Sequence, residues 1–249
     1  MRLTKLAFFA AAALIGAGPA LAQKSQDTLR LAVISPFAAL STYDLPHEEA
    51  AVFSREIYDF LMVYDEHNKK FVPSLAKSWK RIDDKTLEFE LQDGVKFHNG
   101  NVFNADDVVY TVKFVIDPEN KLRQQESAFL FVKDVEKLSS HRVRLTLTRP
   151  EPVAEFLLAA RFLVWPGKHT AAQGHMSHAT KPIGTGPYRF VEFKRNETIR
   201  LERNPNYWKA GLPYLDAIEY TIVPNRSTAA ATIGSRWPSP PWPRVPSGA

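Results

Sequence analysis

The spacing of hydrophobic positions changes several times along the chain, and each change marks a candidate element. Thr28 to Ile34 sets Leu29, Leu31 and Val33 against polar or small neighbours, the period of two that a half-buried strand requires. Thr86 to Leu91 repeats that pattern, with Leu87, Phe89 and Leu91 inward and Asp93-Gly94 behind them as a turn. Phe129 to Leu138 and Arg142 to Thr148 read as two strands joined through Ser139-Ser140-His141. Tyr188 to Phe193 and Thr198 to Glu202 form a hairpin about Arg195-Asn196, and Leu215 to Val223 is a further strand.

Helical spacing appears between these strands. Glu48 to Phe60 places Val52, Phe53, Ile57 and Phe60 on one face behind an acidic start. Asn104 stands as a cap before Ala105-Asp106-Asp107, Val108, Val109, Val112 and Val115 supply a buried stripe, and Asp117-Pro118 ends it. Glu151-Pro152 opens a short apolar helix through Ala160. Ser35 to Pro46, with two prolines, leaves the first strand as an ordered loop. The fold class is α+β with mixed strand and helix order and no internal repeat.

Both ends of the chain depart from this pattern. Arg2 and Lys5 precede an unbroken apolar run from Leu6 to Ala17, then Gly18, Pro19 and the small-x-small triplet Ala20-Leu21-Ala22. Residues 1–22 therefore read as a Sec signal peptide, because the run is shorter than the roughly 20 residues of a spanning helix and ends in a cleavage pattern. Residues 234–249 carry five prolines, two tryptophans and no acidic residue, so they form neither helix nor strand. Their composition changes abruptly within a segment that begins as a helix at Ser227, as an out-of-frame reading of a GC-rich gene would give; the nucleotide sequence past codon 233 tests that expectation.

Composition narrows the chemistry. The chain has no cysteine, which removes disulfides, thiolate nucleophiles and cysteine-ligated metals. The formal net charge of +5 falls to +3 once Arg2 and Lys5 leave, and the basic residues are interspersed with acidic ones, which gives no footprint for nucleic acid. His47-Glu48-Glu49 lacks the second histidine of a zinc-peptidase motif, that position being Ala51. Asp83-Asp84 and Asp106-Asp107 are adjacent pairs that point apart on any regular element, and the second sits in a helix's first turn, where the dipole favours it. No Gly-x-Ser-x-Gly elbow or phosphate loop occurs. His169, His175 and His178 lie in a Gly-containing polar stretch without a nearby carboxylate, and read as solvent-exposed histidines rather than metal ligands. No catalytic residue and no cofactor is expected.

Three stretches carry a resemblance. Phe71 to Trp79 (FVPSLAKSW), Leu91 to Gly100 (LQDGVKFHNG) continued by Asn104 to Thr111 (NADDVVYT), and Pro182 to Tyr188 (PIGTGPY) followed by Leu201 to Trp208 (LERNPNYW) and Pro213 to Asp216 resemble, in order, the segments of extracellular solute-binding proteins of the dipeptide, oligopeptide and nickel class. Physically these residues read as scaffold: Gly94 and Gly100 suit positive φ, and Trp79, Tyr207 and Trp208 are best buried. The resemblance implies a monomeric bilobed periplasmic binding protein with an extra small domain, which closes on a peptide or similar solute and delivers it to an inner-membrane ABC permease. It implies a first lobe from residues 24–50 plus 178–233, an extra domain at 51–177 and a second lobe beyond Ile233 that this chain lacks. It also places the loop after the first strand at the cleft, making Ser35, Phe37 and Tyr43 the expected ligand contacts; the packing alternative for Phe37 and Tyr43 stays open.

Overall fold

The computed structural model describes residues 27–34, 39–41, 43, 53–122 and 129–223. The signal peptide, residues 48–52 of the first helix, the segment beginning at Ser227 and the tail lie outside them.

The two ends of the described chain meet in one sheet. β1 (Thr28–Val33) runs parallel to β10 (Ala217–Ile222), with Leu31 opposite Tyr220, so nearly everything between them is a single crossover connection. β10 pairs antiparallel with β9 (Thr198–Arg203), and β9 with β8 (Tyr188–Lys194), around a turn where Asn196 takes φ 61°. Alternation along these strands buries Ile218, Tyr220, Ile199 and Leu201 on one face. On the opposite face Glu219 joins Arg30 of β1 at 3.1 Å to Arg200 of β9 at 3.2 Å.

A second sheet has the order β4-β5-β7-β6, all antiparallel, from Ala76–Asp83, Thr86–Leu91, Arg142–Leu147 and Val132–Ser139. Leu87, Phe89, Leu91, Val143, Leu145 and Leu147 are buried on its inner face. On its outer face Glu88 takes Arg142 at 3.1 Å and Arg144 at 2.7 Å. The helix α1 (Ala105–Ile116) packs Val108, Val112 and Val115 inward. Asn104 closes its N-terminus in a capping box: the Asn104 side chain accepts from Asp106 N–H at 2.7 Å, and the Asp107 carboxylate accepts from Asn104 N–H at 2.9 Å. The buried residues of both sheets form one continuous hydrophobic cluster.

Several elements differ from the sequence expectations. β2 (Met62–Asp65) and β3 (Lys70–Pro73) form a hairpin, and β4 follows directly, in a stretch where no strand is expected. The turn uses Lys69 at φ 52° instead of glycine and is held by Asp65, which accepts the N–H groups of His67 and Asn68 at 3.0 Å. β4 is unrecognised because both its faces carry polar side chains, Lys77 on Glu90 and Arg81 on Glu155. Helix geometry stops at residue 57, and Phe60 instead makes an isolated bridge to Leu163. α2 (Ala154–Arg161) begins later than Glu151, with Val153 at its N-cap and no side-chain cap bond. The histidine-bearing stretch folds into α3 (Gly167–Gln173) and a 3-10 turn (His175–Ala179). Among the described residues no helix is long and apolar enough to cross a membrane.

Candidate functional site: a junction of the sequence motifs

Three of the motifs that carry the resemblance converge on the end of the helical turn at 53–57. Asp59, 6% exposed, is the centre. Its Oδ1 accepts from the Tyr207 hydroxyl at 3.0 Å and the Lys209 ammonium at 3.3 Å, and its Oδ2 accepts from Trp208 Nε1 at 2.8 Å and the Thr185 hydroxyl at 3.1 Å. Four donors on one buried carboxylate satisfy a charge that would otherwise cost several kcal/mol. Lys209 also lies 4.7 Å from the Trp208 ring centre, a cation–π contact. The Tyr207 hydroxyl beside this carboxylate is pushed up, first by burial and then by the negative charge.

His98 of the KFHNG stretch grips the Gly184-Thr185-Gly186 turn. Its backbone N–H donates to Gly184 O at 2.9 Å, its Nδ1 accepts from Gly184 N–H at 3.3 Å, and its Nε2 donates to Gly186 O at 3.0 Å. One ring nitrogen accepting and the other donating fixes a single neutral tautomer, and burial lowers the imidazole's titration accordingly. Asn204 of the RNPNYW stretch adds a second donor to Gly186 O at 3.1 Å. The glycines are required by space: a Cβ on Gly184 would sit 2.1 Å from Ile57 O, and one on Gly186 would sit 2.5 Å from Glu56 O. Three separate sequence motifs are thus one joint around residues 57–59, with the Asp59 carboxylate and the His98 imidazole fully bonded.

The adjacent carboxylate pairs are structural as well. Asp106 pairs with Lys137 at 2.7 Å, Asp107 caps α1 and accepts Gly167 N–H at 2.8 Å, and Asp83 accepts Lys85 N–H at 2.8 Å. An open depression of about 460 Å³ beside His98 and Lys181 borders the joint, and another of about 440 Å³ lies beside Asp106 and Lys168.

Of the three expected ligand contacts, Ser35 and Phe37 lie outside the described residues. Tyr43 is 1% exposed: its hydroxyl donates to Leu163 O at 2.6 Å and its ring meets Trp165 edge-on at 4.8 Å. Its position is therefore the packing alternative, since a hydroxyl sealed against a core carbonyl has no face left for a ligand. The histidines correct another expectation. His178 is fully buried, not solvent-exposed, and stacks 4.8 Å from Trp165 with planes 6° apart. Among the described residues no three His, Cys, Asp or Glu side chains are grouped to hold a metal. Gly94 and Gly100 take φ 73° and 85°, as their turns demand. Trp79, Tyr207 and Trp208 are only half-buried. Sequence reasoning missed Asp59, although it stands in the apolar run Ile57-Tyr58-Asp59-Phe60-Leu61, where a lone carboxylate signals a buried partner.

Comparison with known proteins agrees with this arrangement. The family profile described as bacterial extracellular solute-binding proteins, family 5 Middle, matches residues 70–235. The chain is 31% identical over 204 residues to the glutathione-binding protein GsiB of Pectobacterium atrosepticum, covering 82% of this chain and 39% of that protein. It is 32% identical over 199 residues to di/tripeptide-binding protein 1 of Pseudomonas aeruginosa, covering 71% and 37%. Its fold matches the oligopeptide-binding protein AppA of Bacillus subtilis in complex with a nonapeptide, with TM-score 0.77, 26% identity and coverage of 84% of this chain and 42% of that one. NikZ of Campylobacter jejuni in complex with Ni(L-His) matches with TM-score 0.74 and 29% identity, over 85% and 42%. The chain thus spans well under half the length of these relatives, which are solute-binding proteins and not enzymes. With the motif junction and a family match over most of its length, this chain belongs to the bacterial extracellular solute-binding proteins of family 5.

Proposed function

We propose that this chain supplies one wall of the ligand site in the periplasmic binding component of an ABC importer, which captures a peptide or similar small solute and hands it to an inner-membrane permease. The observation that carries the reading is the junction at Asp59 and His98, where three of the family-like motifs meet and their polar groups are committed to scaffold contacts. Such a scaffold, with its imidazole and carboxylate fully bonded, suits capture without chemistry. The names of the relatives favour peptides, glutathione included, as the ligand class. Residues 1–22 direct export, and the mature protein works as a monomer.

Within this reading the first lobe comprises residues 24–50 and 178–233, around the sheet that β1 shares with β8 to β10, and the extra domain comprises 51–177. Ser35 and Phe37 touch the ligand from the loop after β1. Tyr43 acts one step back, pinning that loop to the core through Leu163, while Leu40 N–H donates to Ala179 O at 2.8 Å. The test is titration of purified full-length protein with dipeptides, tripeptides, glutathione, longer peptides and nickel chelates, read by tryptophan fluorescence and thermal shift. A saturable response to one peptide class is expected, weakened at least tenfold by Phe37→Ala. Silence across the whole library would overturn the reading.

A further inference from the structure

The histidine-bearing stretch has no part in the binding role described so far, yet it ends on a buried imidazole with both ring nitrogens engaged. His178 lies in the 3-10 turn His175–Ala179 and is fully buried. Its Nε2 is 3.0 Å from Thr170 Oγ1 on α3, whose own hydrogen goes to Pro166 O at 3.0 Å. Thr170 therefore accepts from Nε2–H, which leaves Nδ1 as an acceptor. Nδ1 takes the Tyr58 hydroxyl at 3.1 Å, and Ile183 N–H approaches it at 3.5 Å. Such a ring cannot turn without leaving a buried polar group unsatisfied. Burial first, then the neighbouring His169 and His175, hold its titration down to about 3, which agrees with a ring kept neutral by its contacts.

Held in this way, the imidazole supports Trp165. The two rings stack 4.8 Å apart with planes 6° apart, and the Trp165 backbone N–H donates to Thr111 Oγ1 of α1 at 3.0 Å. The chain that follows β1 rests on this pair at two points, both buried. Tyr43 sets its ring edge-on against Trp165 at 4.8 Å while its hydroxyl donates to Leu163 O at 2.6 Å. Leu40 N–H donates at 2.8 Å to the carbonyl of Ala179, the residue next to His178.

We propose that His178 is a positioning residue for the solute site: its stack on Trp165 and its bonds to Tyr58 and Thr170 fix the platform that holds Leu40 and Tyr43, and with them the loop that carries Ser35 and Phe37. The proposal rests on the reading above, in which that loop touches the solute. Being sealed, His178 meets no solute itself and acts only through these contacts. Both supports of the loop lead back to the one ring. Removing the imidazole empties one face of Trp165 and releases the turn that carries Ala179, so the two supports yield together, as expected of a close-packed interior.

Amide exchange and solute titration of the full-length protein test this. His178→Phe keeps a ring on Trp165 but removes both polar bonds, and His178→Ala removes the ring as well. Leu145→Ala, in the second sheet and outside these contacts, is the control for a loss of stability alone. Without solute, the Leu40 amide should exchange at least about tenfold faster in His178→Phe, measured against the amides of Leu87 and Phe89 in β5. His178→Ala should exceed that where it folds, and His178→Phe decides where it does not. The dissociation constant for whichever dipeptide, tripeptide or glutathione saturates the parent should rise roughly tenfold in His178→Phe. Leu145→Ala should unfold at lower urea yet keep that constant within about twofold. Leu40 exchange unchanged against β5, or a constant raised as much by Leu145→Ala as by His178→Phe, would overturn the proposal. A parent that no solute saturates defeats the binding role alone, and Leu40 exchange then still decides whether His178 positions the loop.

Discussion

Asp59 shows how one side chain can gather distant sequence. Its carboxylate is nearly sealed and has donors from Thr185, Tyr207, Trp208 and Lys209. Asp59→Asn keeps the volume but removes the charge and turns one acceptor into a donor aimed at other donors. It should cost roughly 3 kcal/mol in urea unfolding, in the range for charged hydrogen bonds and broken buried pairs. Gly184 and Gly174 make a contrasting pair. A Cβ at Gly184 collides with backbone at 2.1 Å, whereas Gly174 has open space and only its φ of 78° to protect. Gly184→Ala should therefore destabilise by about 3 kcal/mol or more, and Gly174→Ala by about 1 kcal/mol, in the same assay.

At the scale of elements, α1 was fully legible because its signals are local: a cap at Asn104, acids in the first turn, a valine stripe and a proline stop. Asn104→Ala removes the side-chain half of the capping box and should lower stability by about 1 kcal/mol, with amide exchange rising only in the first turn of α1. β5 and β7 were equally clear, since one face of each is apolar and the other charged. β4 and the β2-β3 hairpin were not, because their inward and outward faces are both mixed and the turn spends no glycine on its positive φ. The polar stretch bearing His169, His175 and His178 is helical because burial against α1 and Trp165, rather than any periodicity, orders it.

Across the whole molecule, the continuous core has a thermodynamic consequence. Leu145 lies in the second sheet and Ile199 in the first, yet both belong to one buried cluster. Leu145→Ala and Ile199→Ala should each cost about 2 to 5 kcal/mol and shift one common transition, seen identically by near-UV circular dichroism and tryptophan fluorescence. Separate transitions for the two sheets would contradict that continuity.

The sequence by itself determined the α+β class, most strands, the best-capped helix and membership of the solute-binding family, because each rests on short-range period, capping or motif order. Only the tertiary structure decided that β1 joins β10 in parallel, Thr28 lying opposite Ala217 across 189 positions of sequence, a pairing no local pattern encodes. It also decided that Asp59 centres the junction, that Tyr43 faces the core, and that His178 is buried. Each of those outcomes depends on which groups meet after distant segments pack, and a side chain's exposure and partners are set by that packing rather than by its neighbours in sequence.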